Sequence, residues 1–396
     1  MKTKIWSDDS GVELDAEIEA YTVGNDKEID KKLIKYDIQA SIAHSDVLLE
    51  MKVLSPAEHS KINHALNKLS SKIESVKFTL EGNEDCHSYI EAYLSEVVGI
   101  AGKKIHTARS RNDQSLTMVR LYMKESMNDC LKLVKKLQKT INVQAKKQQK
   151  TDMPGYTHMQ KAMPTTVGIW LGSFADALQD SMLILQSTTE VIDQNPLGSG
   201  AGFGSSLNFD REITTTKLGF AKVQENPMYC GLSRGYFEIM CLQSLNLSMS
   251  VVGKLVSDLL LFTTQEFCFF SLPPNYTTGS SIMPHKHNYD VLEIARGKCH
   301  IFWTHQQKIQ SIFGSIGSGY QRDLQLTKEI FVDAIIDFKQ TFSVISKVVE
   351  SLEIHSECLK LAIAPEMHSV TKINDLVKNG ETFRDAYKKV KKQISA

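Results

Sequence analysis

Proline is scarce, with nine in 396 residues, and the few present leave uninterrupted runs from Pro56 to Pro154, from Pro227 to Pro273 and from Pro284 to Pro365. A proline inside a helix removes a backbone donor and clashes with the preceding turn, so its absence leaves room for long helices. Cysteine is also sparse. The seven residues Cys86, Cys130, Cys230, Cys241, Cys268, Cys299 and Cys358 contain no Cys-x-x-Cys pair. Neither a zinc site nor a disulfide framework is suggested, and buried thiols in a reducing compartment are expected. No charge of one sign is in excess, since 46 basic residues face 46 acidic ones. A whole-molecule field that would draw the chain to nucleic acid or to an anionic membrane is therefore lacking. The local run Lys388, Lys389, Lys391 and Lys392 reads as one solvated helix face.

Long apolar runs are missing as well. The opening Met-Lys-Thr-Lys-Ile-Trp has no secretory leader pattern, which makes the cytoplasm the expected location. The most apolar stretch, Val251 to Leu272, is interrupted by Lys254, Asp258 and Glu266, each costly at a bilayer centre, so it reads as a buried core helix. Sustained apolar/polar alternation with hairpin turn signals is absent, which argues against a sheet-based fold.

What is present fits helices. The chain is 42% hydrophobic and can bury a large core. Cys130, Leu133, Val134, Leu137 and Ile141 fall at i, i+3, i+4, i+7 and i+11, with Lys, Gln and Asn largely between them, forming one stripe of an amphipathic helix. The fold class expected is all-α. Three segments rich in Gly, Ser, Thr, Asn and Pro break the texture and read as loops: Ser110 to Gln114, Pro196 to Asn208, and Pro273 to Asp290. Loops on a rigid scaffold are where binding groups concentrate.

Three constellations could carry chemistry. Thr107 to Gln114 places Arg109, Arg111 and Asn112 beside several hydroxyls, a set suited to a dicarboxylate because guanidinium pairs bidentately with carboxylate; ordinary ion pairing by Arg109, Arg111 and Asp113 is the alternative. Gly155 to Gln160 carries His158, whose ordinary pKa of about 6.5 suits proton transfer, although twelve histidines occur and spacing alone does not single it out. Gly279-Ser-Ser-Ile-Met-Pro-His-Lys-His-Asn288 joins free backbone N–H groups, two serines, Lys286 and Asn288 in a potential anion-binding lid, or else is a lysine-bearing connector. Asp290 and Glu293 stand at capping-box spacing to open the following helix.

The lid segment resembles the signature of the fumarase, aspartase and argininosuccinate lyase superfamily. Ser110-Arg-Asn-Asp-Gln114 is more selective and resembles the argininosuccinate lyase and delta-crystallin branch. Gly155-Tyr-Thr-His-Met-Gln160, Asn195-Pro-Leu-Gly-Ser-Gly200, Tyr320-Gln-Arg-Asp-Leu-Gln325 with Lys328, and Phe383-Arg-Asp-Ala-Tyr387 match that branch in the same order. The resemblance spans essentially the whole chain. It implies cleavage of argininosuccinate to arginine and fumarate by carbon–nitrogen elimination, a step of arginine biosynthesis, without metal or cofactor.

The resemblance also implies roles. Ser280 matches a base acting on the carbon beside a carboxylate, and Lys286 and Asn288 match groups that stabilise the resulting aci-carboxylate. His158 matches a proton-transfer or orienting histidine, and Glu293 the carboxylate paired with it; which of Ser280 and His158 is acid and which is base stays open. Arg111, Asn112 and Thr157 match contacts to substrate carboxylates, and Tyr320, Gln325 and Lys328 match contacts to the arginine-derived half. Thr22 and Asp26 align with a family Ser and Asp at the same spacing, with Thr replacing Ser.

The implied fold is an elongated three-part helical protein, divided here as an N-terminal domain 1–109, a central long-helix bundle 110–362 and a short C-terminal domain 363–396. The bundle is expected to associate into a homotetramer whose sites are shared between subunits. Departures are Tyr289 where proline is usual, which should loosen the lid, His287 where a second lysine is common, and an end soon after Tyr387 where family members continue. Two other readings remain, a catalytically idle crystallin-like homologue and a superfamily lyase of other specificity such as one acting on adenylosuccinate.

Overall fold

The computed structural model describes residues 15–74, 78–80 and 83–395; the N-terminal stretch read for a leader lies outside them. Among the described residues the chain folds into helices α1 (Ala16–Val23), α2 (Asp26–Glu50), α3 (Pro56–Ile73), α4 (Cys86–Val98), α5 (Ile100–Lys103), α6 (Arg111–Lys147), α7 (Val167–Ile192), α8 (Glu212–Leu218), α9 (Pro227–Phe262), α10 (Asp290–Gly314), α11 (Leu326–Glu350), α12 (Ser356–Ala362), α13 (Ser369–Lys378) and α14 (Phe383–Ser395). Strands are short and occur in pairs: β1 (Asp152–Thr157) with β2 (Gln160–Thr166), β3 (Gln194–Asn195) with β4 (Lys222–Val223), β5 (Phe270–Ser271) with β8 (Glu353–Ile354), and β6 (Thr278–Gly279) with β7 (His287–Asn288). The expected all-α class holds, and the Cys130–Ile141 stripe is buried except for Leu133, which is half-buried.

The chain forms two compact units that interleave in sequence, and every passage between them falls inside a helix. The first unit takes the chain up to Leu131, then Ile184–Leu245 and Trp303–Asp337; the second takes Lys132–Leu183, Asn246–Phe302 and Phe338–Ala396.

In the first unit α2 packs on α3, α4 and α8. Leu33, Ile34, Leu66, Ile90 and Leu94 are fully enclosed there, each worth roughly 1.5–3 kcal/mol on burial. That apolar mass carries buried polar groups. Arg120, with no exposed surface, donates to the carbonyls of Ile192 and Gln194 and to Ser233 Oγ, and lies 4.1 Å over the Phe237 ring. Burial lowers its guanidinium to about 10.

The second unit is built round aromatics. Trp170 stacks on Phe270 at 5.1 Å and meets Phe174 and Phe262 edge-on, while its indole N–H donates to Asp258. Its C-terminal helices α13 and α14 close over Ile373, Ala386 and Val390, leaving the Lys388–Lys392 run exposed as expected.

Four local expectations are corrected. Residues 111–114 are not a loop but the first turn of α6: Ser110 Oγ accepts the N–H of Asn112, and the Ser110 N–H donates to Asp113 Oδ1 at 2.8 Å, a reciprocal cap. The apolar helix begins at Pro227 and stops at Phe262, and a turn followed by strand β5 replaces the last ten residues expected to be helical. By length and composition α9 could cross a membrane, yet 56% of its most apolar window is buried within the structure. Asp290 is not the cap of α10: the Tyr289 carbonyl accepts the N–H groups of Leu292 and Glu293, and the Asp290 carboxylate instead accepts from Thr278 Oγ1.

The fourth correction is a β-hairpin. Residues 152–166 fold back through β1 and β2 with Thr157 paired to Gln160, so His158 and Met159 form a two-residue turn. Both have left-handed φ, 53° and 61°, as the twist of the strands requires of such a turn. Gly155 sits at the bulge in β1; a Cβ there would lie 2.6 Å from the Met163 carbonyl.

Candidate active site

The first unit holds seven of the thirteen expected residues: Thr22, Asp26, Arg111, Asn112, Tyr320, Gln325 and Lys328. Asp26 and Asp30 lie one turn apart on α2, and Lys328 of α11 reaches both, 3.0 Å from Asp26 Oδ1 and 2.5 Å from Asp30 Oδ1. Asp30 is wholly buried and its second oxygen accepts the Cys86 N–H at 3.1 Å. Burial works to lower the Lys328 ammonium, but Asp30 and Asp26 override it and raise it. Asp26 is raised because burial outweighs the attraction of Lys328. Gln325 donates to the carbonyls of Thr22 and Val23 at 3.1 and 3.4 Å, so the structure brings Thr22, Asp26, Gln325 and Lys328 together. The Thr22 hydroxyl is bonded to the Ile18 carbonyl of its own helix.

Arg111 does not present a free fork. It is paired with Asp85 and donates to Ser88 Oγ at 3.0 Å, so in this state the carboxylate partner is internal. Asn112 lines a recess with Gly200, Phe203, Arg234 and Tyr320. Asp113 fastens the wall of that recess: its Oδ2 accepts the N–H groups of Gly198 and Gly200 at 2.9 and 3.0 Å.

Arg234 was missed in the sequence. Helix α9 breaks at Arg234 and Gly235, whose φ is 82°, and Glu238 caps the resumed helix by accepting the Gly235 N–H at 2.8 Å. The break sets the Arg234 guanidinium 5.0 Å over the Tyr320 ring. The available signal was a glycine inside an apolar helical pattern, followed three residues later by a buried glutamate.

The same unit holds a second buried pair. His87 Nδ1 is 2.6 Å from Asp37 Oδ2, and Gln114 donates to the same carboxylate. Burial works to lower His87, but Asp37 prevails and raises it. Asp37, Cys86 and His87 offer donor atoms within 4.8 Å of one another, the geometry a metal could use. The residues do not fit one. The His87–Asp37 separation is a hydrogen bond that admits no ion between, and burial pushes the Cys86 thiol well up, away from the thiolate a metal needs.

The second unit holds the other six. Thr157 and His158 are exposed at the hairpin tip, which Tyr156 anchors against Phe262 and Phe267 with ring centroids 6.2 and 5.7 Å apart. The lid runs from Thr278 to Asn288, closed at its base by the β6–β7 pairing of Thr278 with Asn288 and Gly279 with His287. Just beyond β6, Ser280 Oγ accepts the N–H groups of Met283 and Ile282 at 3.1 and 3.4 Å. Lys286 and Glu293 are exposed. The expected His158–Glu293 pair is not formed within the chain: among the described residues neither takes part in an ion pair. Both are solvent-facing, and nothing in the unit forces them together.

A family model described as "Lyase" matches residues 12–301. The chain is 40% identical to an argininosuccinate lyase of Thermotoga neapolitana, covering 98% of each, and 38% identical to one of Phocaeicola vulgatus, covering 100% of this chain and 89% of the relative. Two solved structures show the same fold. A crystal structure of EDDS lyase with formate superimposes with TM-score 0.80 at 22% identity, over 96% of this chain and 76% of that one. A class II fumarase of Schistosoma mansoni does so with TM-score 0.78 at 16% identity, over 94% and 91%. The chain therefore belongs to this lyase family and, within it, to the argininosuccinate lyase branch.

Proposed function

We propose that this protein is an argininosuccinate lyase that releases arginine and fumarate by elimination across a carbon–nitrogen bond. The observation that carries the substrate assignment is the Asp26–Lys328 pair. Its opposite charges, 3.0 Å apart, complement the ammonium and carboxylate of an amino-acid end, with Gln325 bonded to the adjoining end of α1 and Tyr320 under the Arg234 guanidinium. Arg234, whose charge acts on Asp26, adds a guanidinium nearby, and Arg111, released from Asp85, would grip a succinyl carboxylate with Asn112, joined by Thr157 of another copy.

Ser280 is the base. The two N–H groups directed at its Oγ favour the alkoxide, since hydrogen bonds to the charged form lower a pKa. It takes the proton from the carbon beside the carboxylate, and Lys286 and Asn288 hold the aci-carboxylate that follows. The carbon–nitrogen bond then breaks, and His158 delivers a proton to the departing guanidino nitrogen, with Glu293 fixing its tautomer. His158 and Glu293 would meet between copies in a homotetramer with shared sites. Exposed apolar side chains on the long helices, Leu183, Leu247, Ile301 and Trp303 among them, support that association.

The test is to incubate the purified protein with argininosuccinate and follow fumarate by ultraviolet absorbance and arginine by amino-acid analysis, with mass measured by sedimentation. Equimolar products from a tetramer are expected. No product from an intact tetramer would sink the reading in favour of an idle homologue or another substrate, and adenylosuccinate serves as the control.

A further inference from the structure

Five of the seven cysteines are buried as the composition predicts, but Cys268 is exposed and Cys358 partly exposed. Far apart in sequence, these two are held side by side. Strand β5 pairs antiparallel with β8, Phe270 opposite Ile354 and Ser271 opposite Glu353, and the His355 N–H extends the pairing to the Phe269 carbonyl at 2.9 Å. That register carries the first turn of α12, with Cys358, alongside Cys268. Both line one groove of the second unit together with Tyr156, Met159 and Glu266. The Cys268 N–H is fixed to the Thr264 carbonyl at 2.8 Å, and its φ of 54° is a conformation the surrounding fold imposes. A hydrogen bond between the two thiols, aided by slight burial, holds Cys268 above the usual thiol range. Among the described residues no carboxylate or imidazole completes a three-ligand cluster with them.

We propose that Cys268 and Cys358 form an oxidation-sensitive dithiol that a peroxide closes to an intrachain disulfide, and that closure slows turnover. One thiolate attacks a peroxide oxygen, breaking the O–O bond and leaving a sulfenic acid and hydroxide. The second thiolate attacks that sulfur and expels a second hydroxide. Two thiols lose two protons and two electrons, and hydrogen peroxide leaves as two waters. A dithiol reductant reverses the step.

The consequence runs through packing. Helix α12 packs on β1, and Phe267, next to Cys268, packs on Tyr156 of the same strand. Both anchors of the new bond therefore touch the strand that ends at Thr157 and leads into His158. A covalent link there fixes the spacing of those anchors and restricts how the hairpin tip can adjust to substrate. The effect on rate rests on the lyase reading; the formation of the bond does not.

The test uses the full-length protein, reduced with dithiothreitol, desalted and exposed to hydrogen peroxide, then digested without reductant and mapped by mass spectrometry. We expect a Cys268–Cys358 linked peptide lighter by two hydrogens, chains that stay unlinked to one another in a denaturing gel, and faster closure as pH rises because the thiolate is the nucleophile. Turnover of argininosuccinate should fall several-fold and return with dithiothreitol, while Cys268→Ser and Cys358→Ser keep the reduced rate in peroxide. Unmodified thiols, separate sulfinic acids, or links found only between chains would overturn the dithiol. A linked peptide with unchanged turnover would overturn the switch. A reduced protein with no turnover counts against the lyase reading alone, since the linked peptide is read without activity.

Discussion

The two units hold their candidate residues in opposite ways. In the first, Asp26, Gln325, Lys328 and Arg111 are already bonded to partners, with Lys328 buried between two carboxylates. In the second, His158, Lys286 and Glu293 stand exposed, and Ser280 is bonded, among the described residues, to its own loop. The first arrangement suits binding, where a preformed charge pattern lowers the cost of ordering the site. The second would suit chemistry completed in the proposed tetramer, because groups left in water gain their effect only when water is excluded around them.

That contrast predicts which substitutions affect rate and which affect folding. Ser280→Ala should lower turnover by roughly 10²–10⁴-fold and leave the melting temperature unchanged, and Lys286→Met should do likewise by roughly 10²–10³-fold; fumarate release and thermal unfolding, measured together, check both. A melting temperature that fell with either rate would break the comparison, because it would mean that the lid supports the fold.

Asp30→Asn should do the reverse. Removing one partner of a buried charge pair costs about 3–5 kcal/mol, seen as a lower denaturation midpoint. KM should rise more than kcat falls, because Lys328 keeps Asp26 but loses its anchor. Unchanged stability would mean that Asp26 alone holds the lysine.

The His87–Asp37 pair gives a smaller, pH-dependent effect. His87 is raised in the folded state, so its contribution is complete below the ordinary histidine value of about 6.5. It fades as pH climbs through the higher folded value. Unfolding by denaturant across that range should show a fall in stability that His87→Gln abolishes; the same slope in both proteins would place the titration elsewhere.

Much of this was legible in the sequence because helices are written in short-range periodicity. The Cys130–Ile141 stripe marks a helix where α6 lies, and the proline-free runs predict long helices in the stretches that hold α9, α10 and α11. The hairpin was not legible. Its turn residues are His158 and Met159 rather than the Asn-Gly or Asp-Gly that such turns favour, so the usual signal was missing. The start of α6 was misread for a related reason: Ser110, Asn112 and Asp113 have loop composition, yet they act as caps. The first-unit cluster unites residues as far apart as Thr22 and Lys328, and only family resemblance, not spacing, could pair them. Cys268 and Cys358 had no signal, since strand pairing at one remove brings them together.

The His158–Met159 turn has one more consequence, for selection. Left-handed backbone costs an ordinary residue roughly 1–2 kcal/mol, so Met159→Gly should stabilise the fold by up to about 1 kcal/mol, detectable as a small rise in melting temperature. Glycine or asparagine at 158 would relieve the same strain and delete the imidazole. A library sorted only for heat resistance would therefore tend to discard the proposed proton donor, whereas the same library sorted for turnover should keep His158.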